Sequence, residues 1–127
     1  MAVSMTMPIL IVDDYNTMIR ILRNLLRQLG FSNIDEASDG RTALAKLRAK
    51  DYALVISDSN MAPMTGMELL RCLRADERTK ATPFMMVAQD SGEGALAEGR
   101  AGASTYIVKP FTAQSLKNKL IPVLGAF

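Results

Sequence analysis

Three acidic side chains and one lysine carry the chemistry open to this sequence. Asp13 and Asp14 stand side by side after the apolar run Ile9-Leu10-Ile11-Val12, Asp58 follows Leu54-Val55-Ile56-Ser57, and Lys109-Pro110 follows the stretch from Ser104 to Val108. Carboxylates crowded together repel one another, and their pKa values rise unless a cation joins them. Magnesium suits such a set because it is hard, prefers oxygen, and keeps several waters while using one or two carboxylates. A carboxylate is also a nucleophile toward phosphorus and yields an aspartyl phosphate. That transfer needs chiefly charge neutralisation and in-line positioning, which a metal and a lysine supply. Asp58, alone on the central strand with Ser59-Asn60-Met61 behind it, is the expected phosphoacceptor. Asp13 and Asp14 are expected to hold the ion. Lys109 is expected to pair with the acids before transfer and with the phosphoryl oxygens after it.

Taken singly, each residue has an ordinary role. An Asp-Asp pair after a strand is usually a turn or a helix cap. Asp58 alone reads equally as a solvated loop acid, and a lysine before proline as an exposed lysine. Their joint position at three strand ends is what favours chemistry, and that position depends on the elements around them.

The apolar runs are of two kinds, and they alternate. Ile9–Val12, Leu54–Ile56 and Phe84–Val87 are short and continuous, as strands buried on both faces of a parallel sheet are. Asn33–Ala37 and Ser104–Val108 are weaker strands. Between them fall helical stripes: Met18, Leu22, Leu25 and Leu29; Leu44 and Leu47; Leu69, Leu70 and Leu73; Leu116, Leu120 and Leu124. Gly30 ends the first helix, Ser38 or Asp39 can cap the second, and Thr112 can cap the last. The order βαβαβαβαβα predicts an α/β fold, with an open parallel sheet and helices on both faces. Ligands of such sheets bind beyond the carboxyl ends of the strands, which is where the acids and Lys109 stand. Two segments depart from good helix chemistry. Gly92–Gly99, the expected fourth helix, has interior glycines costing about 1 kcal/mol each, which predicts a short or frayed helix. Pro122 predicts a kink or stop near Ile121 in the last helix.

At 127 residues the chain fits one domain, expected over 8–127 with 1–7 as a tail. The absence of histidine excludes histidine-based metal sites, Ser-His-Asp catalysis and a phosphohistidine carrier. A single cysteine, Cys72, rules out an internal disulfide and fits a reducing cytoplasm. It is expected as a buried or half-buried helical thiol. The net charge of +2, without runs of like charge, gives no reason to expect nucleic acid or membrane binding. No signal peptide and no apolar run of spanning length is read from the sequence.

These residues resemble the receiver domains of two-component response regulators, and within them the chemotaxis branch. The resemblance runs from about Pro8 to Leu124. It is carried by Ile11-Val12-Asp13-Asp14, Val55-Ile56-Ser57-Asp58-Ser59-Asn60-Met61, Gly102-Ala103-Ser104 and Val108-Lys109-Pro110-Phe111, with Thr17–Arg20 and Arg23–Leu26 pointing to the branch. It implies the flavodoxin-like strand order 2-1-3-4-5, for which chemotaxis receivers are a standing example. It also implies Mg2+ held by Asp13, Asp14, Asp58 and the backbone carbonyl of Asn60. Asp58 is then the phosphoacceptor, Lys109 the phosphoryl contact beside a cis bond to Pro110, and Tyr106 the aromatic that turns inward on activation. The implied partners are a histidine kinase and a flagellar motor switch or other protein target. The implied state is a cytoplasmic monomer that catalyses only its own phosphorylation and dephosphorylation.

Three departures bear on the switch. The family's Ser or Thr at the end of the fourth strand is Ala88, so a hydrogen bond worth about 1.5–3 kcal/mol to a charged group is missing. The usual Met-Pro after the acceptor reads Met61-Ala62-Pro63. The expected output surface carries Gly92, Ala95 and Gly99, with Tyr106 and Lys119 remaining. Weakened activation, a phosphate sink, or an interaction module independent of phosphorylation are therefore alternative outcomes. A small aspartyl phosphatase ranks last, because Asn60 stands where such enzymes usually carry a second acid.

Overall fold

Ile9–Val12 forms β1, buried along its whole length, and the same holds for β3 (Leu54–Asp58) and β4 (Phe84–Ala88). Strands covered on both faces have no solvent side to mark with polar residues, which explains the unbroken apolar runs. The computed structural model describes residues 4–88 and 102–127; the expected helix at 92–99 lies outside the described residues. Two further strands, β2 (Ile34–Ala37) and β5 (Thr105–Val108), complete a parallel sheet of order β2-β1-β3-β4-β5. That is the implied 2-1-3-4-5 order.

Four helices are present among the described residues: α1 (Asn16–Gln28), α2 (Gly40–Ala49), α3 (Gly66–Ala75) and α4 (Ala113–Leu124). They divide the core in two. Ile19, Leu22 and Leu26 of α1 join Leu116 and Leu120 of α4 on one side of the sheet. Leu47 of α2 joins Leu69, Leu70 and Leu73 of α3 on the other. The α1 stripe differs slightly from expectation: Ile19, Leu22 and Leu26 are buried, while Met18, Leu25 and Leu29 pack at its margin.

Caps follow side-chain chemistry. The carboxylate of Asp39 accepts from the Thr42 N–H, so Asp39 rather than Ser38 caps α2. Thr112 caps α4 in a reciprocal box with Ser115, and Thr65 caps α3 in a box with Glu68. Gly30, at φ 106°, turns the chain out of α1.

Two expectations are corrected. Of the kink or stop expected near Ile121, the stop is corrected: helix α4 runs on to Leu124, where the Gly125 N–H closes onto the Ile121 carbonyl. Pro122 lies in the last turn, where the helix has little left to lose after a missing N–H. Cys72 is exposed, because Leu69, Leu70 and Leu73 define the buried face of α3 and Cys72 falls on its flank. No described helix is long and apolar enough to cross a membrane.

Candidate phosphoacceptor site

The parallel register sets the acids at one rim. Val12 pairs with Ser57, and Asp58 pairs with Val87, so the residues following β1 and the end of β3 emerge beside each other. Asp13, Asp14 and Asp58 each offer a carboxylate oxygen, and these oxygens all lie within 4.8 Å of one another. Asp13 is 1 % exposed and Asp58 is also buried, whereas Asp14 faces solvent.

The fourth member comes from β5. Ala88 pairs with Val108, and the Lys109 N–H donates to the Ala88 carbonyl at 3.0 Å, which fixes Lys109 over the rim. Its Nζ donates to Asp58 Oδ1 at 3.3 Å. The Lys109–Pro110 bond is cis, as the resemblance implies, and so is Ala62–Pro63.

Asp13 carries the electrostatic strain. Burial raises its pKa from the ordinary 3.8 to about 6; the Tyr15 N–H opposes this, Asp58 and Asp14 add to it, and Lys109 partly offsets it. Asp13 Oδ1 accepts from the Tyr15 N–H at 2.9 Å, but Oδ2 is buried with no hydrogen-bond partner among the described residues. An all-oxygen donor set with one orphaned buried carboxylate oxygen fits a hard divalent cation. Magnesium spans about 4.2 Å between opposite ligands and retains several waters, so a set within 4.8 Å needs little closure or one bridging water.

The raised pKa has a measurable consequence for the metal-free protein. Folded Asp13 holds its proton up to about pH 6, while the unfolded chain releases it near 3.8. The associated stability is fully present below 3.8 and is lost as pH rises through about 6. With divalent ions chelated, the unfolding free energy is expected to rise by about 2 kcal/mol between about pH 7.5 and 4.5. Asp35 and Asp39, whose pKa values are lowered, act in the opposite sense only below 3.8. Urea midpoints across this range check it. Asp13→Asn is expected to flatten the slope; an unchanged slope assigns the effect elsewhere.

The remaining expected residues are spread around this centre. Asn60 is exposed in the loop two residues past Asp58. Ala88 is buried at the end of β4. Tyr106 is half-buried on edge strand β5, with Lys119 Nζ 4.6 Å from its ring centroid. Gly92, Ala95 and Gly99 lie outside the described residues.

Sequence reasoning missed Gly66. It opens α3, and its N–H donates to the Ser59 carbonyl at 3.2 Å. A β-carbon there would overlap the Asp58 carbonyl oxygen and stand 2.9 Å from Met86 Sδ. The capping pattern Thr65-Gly-Met-Glu68 was a readable signal for the start of this helix, but nothing local signalled its approach to Asp58.

Comparison with known proteins agrees with this geometry. The family model described as the response regulator receiver domain matches residues 9–121. The chain is 51 % identical over 115 residues to the chemotaxis protein CheY of Pseudomonas aeruginosa, covering 90 % of this chain and 93 % of that protein. It is equally identical over 115 residues to CheY-3 of Vibrio cholerae, covering 90 % and 88 %. Among solved structures, CheY4 of Vibrio cholerae superposes with a TM-score of 0.86 at 33 % identity, covering 94 % of this chain and 99 % of that one.

Proposed function

The chain belongs to the response regulator receiver domain family, as a CheY-like response regulator of two-component signalling, and from that premise we propose that Asp58 accepts a phosphoryl group from the phosphohistidine of a histidine kinase. The observation that carries the proposal is the convergence of Asp13, Asp14 and Asp58 within 4.8 Å, with the Lys109 ammonium on Asp58. Asp13, Asp14, Asp58 and the Asn60 carbonyl are the proposed magnesium ligands. The ion, when bound, neutralises charge on the carboxylates and on the incoming phosphoryl oxygens.

The chain's own residues do the rest. Asp58 offers the free lone pair of its carboxylate to phosphorus. Lys109, placed by the β5 register, neutralises part of the charge that gathers on the phosphoryl oxygens. Burial of Asp13 and Asp58 leaves few waters to compete for the acyl phosphate. The receiver unit is taken as 8–127, in the cytoplasm, and as catalysing only its own phosphorylation and dephosphorylation. Its proposed output is a contact with a flagellar motor switch or other protein target.

Ala88 supports a weakened switch. Its methyl offers no hydrogen bond to a phosphoryl oxygen, and a ligand shifts a two-state equilibrium only by its differential contacts. Ala88→Thr is expected to restore one such bond, worth about 1.5–3 kcal/mol. Amide shifts around Tyr106 on adding beryllofluoride and magnesium are expected to be larger in the variant. Identical shifts in the two proteins remove this explanation of Ala88.

The test of the proposal is intact mass after incubation with acetyl phosphate. One added phosphoryl group with magnesium, and none with a chelator, is the expected result. No adduct under either condition overturns the proposal and leaves an interaction module independent of phosphorylation.

A further inference from the structure

Gly40 opens α2 and is buried, and its φ is not positive, so the backbone itself does not require glycine there. Alanine would favour the helix. What glycine supplies is space. A β-carbon at this position would stand 2.6 Å from Met64 Sδ and 2.9 Å from both Cβ and Cγ of the same side chain. Met64 belongs to loop 59–65, which joins β3 to α3 and carries Asn60. The Ser59 N–H donates to the Val87 carbonyl at 3.0 Å, and the Gly66 N–H to the Ser59 carbonyl at 3.2 Å, which ties both ends of the loop. Between these ends Asn60, Ala62 and Pro63 are exposed, while Met61 and Met64 pack on the core beneath α2 and α3.

The turn that ends in Gly40 also reaches the acid pair. Val12 pairs with Ala37, and the Asp13 N–H donates to the Ala37 carbonyl at 3.1 Å. Asp39 caps α2 by accepting from the Thr42 N–H at 2.7 Å. Residues 37–40 are therefore held by β2 at one end and by the helix cap at the other. One short turn touches both Asp13 and the loop of Asn60. An atom added at Gly40 meets a fixed helix start on its own side and a loop without ladder bonds on the other, so the loop yields.

We infer that turn 37–40 sets the separation between the two halves of the cation pocket, with Gly40 as its positioning residue. The missing side chain lets Met64 seat against the start of α2, and that seat places the Asn60 carbonyl for the ion. The inference rests on the proposed ligand set and names what holds it in register. Magnesium demands a near-ideal octahedron and tolerates a displaced ligand poorly. Groups that only orient ligands accordingly weigh heavily in metal affinity.

Gly40→Ala is expected to weaken magnesium binding about tenfold in calorimetric titration. Phosphoryl uptake from acetyl phosphate is expected to need correspondingly more magnesium, with the rate at saturating magnesium unchanged. Met64→Gly removes the opposing atoms, so Gly40→Ala added to that variant is expected to change magnesium affinity by less than about twofold. Ala45→Gly, at an exposed position in the middle of α2, weakens the helix itself. It is expected to lower the urea midpoint and leave magnesium affinity alone, which separates positioning from stability. Equal magnesium affinity for Gly40→Ala and wild type overturns the inference. So does the same loss in the native and Met64→Gly backgrounds, or a matching loss in Ala45→Gly. Should Gly40→Ala fail to fold, Met64→Ala decides, because it empties the contact rather than overfilling it. Weaker magnesium binding by that folded variant supports the inference, and unchanged binding overturns it. A wild-type chain that binds no magnesium removes the proposed ligand set and this inference with it.

Discussion

Asp58→Asn is expected to abolish phosphoryl incorporation from acetyl phosphate, leaving no adduct detectable by intact mass. The amide nitrogen lends its electrons to its own carbonyl and is no nucleophile toward phosphorus, so the loss is of kind rather than degree. The shape is nearly unchanged, and Oδ1 still accepts from Lys109 Nζ, 3.3 Å away in the wild type. Removing the charge also relieves Asp13, whose pKa is raised in part by Asp58. The thermal midpoint of the metal-free variant is therefore expected not to fall, which separates lost chemistry from lost fold. An adduct that persists in Asp58→Asn moves the nucleophile to Asp13 or Asp14, the other carboxylates of the cluster.

Gly66→Ala is expected to destabilise the protein by about 3 kcal/mol, even though alanine is the better helix former by about 1 kcal/mol. The sign is decided by the neighbour. A flexible side chain can move aside, but the added β-carbon meets the carbonyl oxygen of Asp58, which is held in the centre of the sheet between β1 and β4. Either α3 retreats, breaking the Gly66 N–H bond to the Ser59 carbonyl, or the end of β3 shifts and carries Asp58 with it. Both displace the acceptor loop, so slower phosphorylation is expected together with a lower urea midpoint. A variant as stable as wild type, with an unchanged rate, shows that the approach of α3 to Asp58 is looser than described.

Much of this was legible because it is local or periodic. Continuous apolar runs gave β1, β3 and β4, and a capping side chain marked the start of α2 and of α4. The site was legible through topology: in a parallel sheet the residues at and just past the carboxyl ends of β1, β3 and β5 meet at one rim, so Asp13, Asp14, Asp58 and Lys109 come together as expected. What the sequence hid was tertiary. Gly66 is an ordinary glycine until α3 is packed onto β3. Arg74 looks like a surface arginine, yet its guanidinium donates to the carbonyls of Lys80, Thr82 and Gly102 and ties the end of α3 to the start of β5. Cys72 was misplaced because three apolar neighbours define a stripe whose edge spacing alone does not fix. The stop expected at Pro122 did not occur because its penalty depends on how many turns follow it.

The central claim is that negative groups distant in the chain form one divalent-cation pocket, and calorimetric titration of the chelator-treated protein with magnesium tests it most directly. One ion taken up per chain, with uptake weakened in Asp13→Asn although that variant is folded, is the expected result. No heat of binding and no stabilisation by magnesium in the wild type contradicts the account at its foundation.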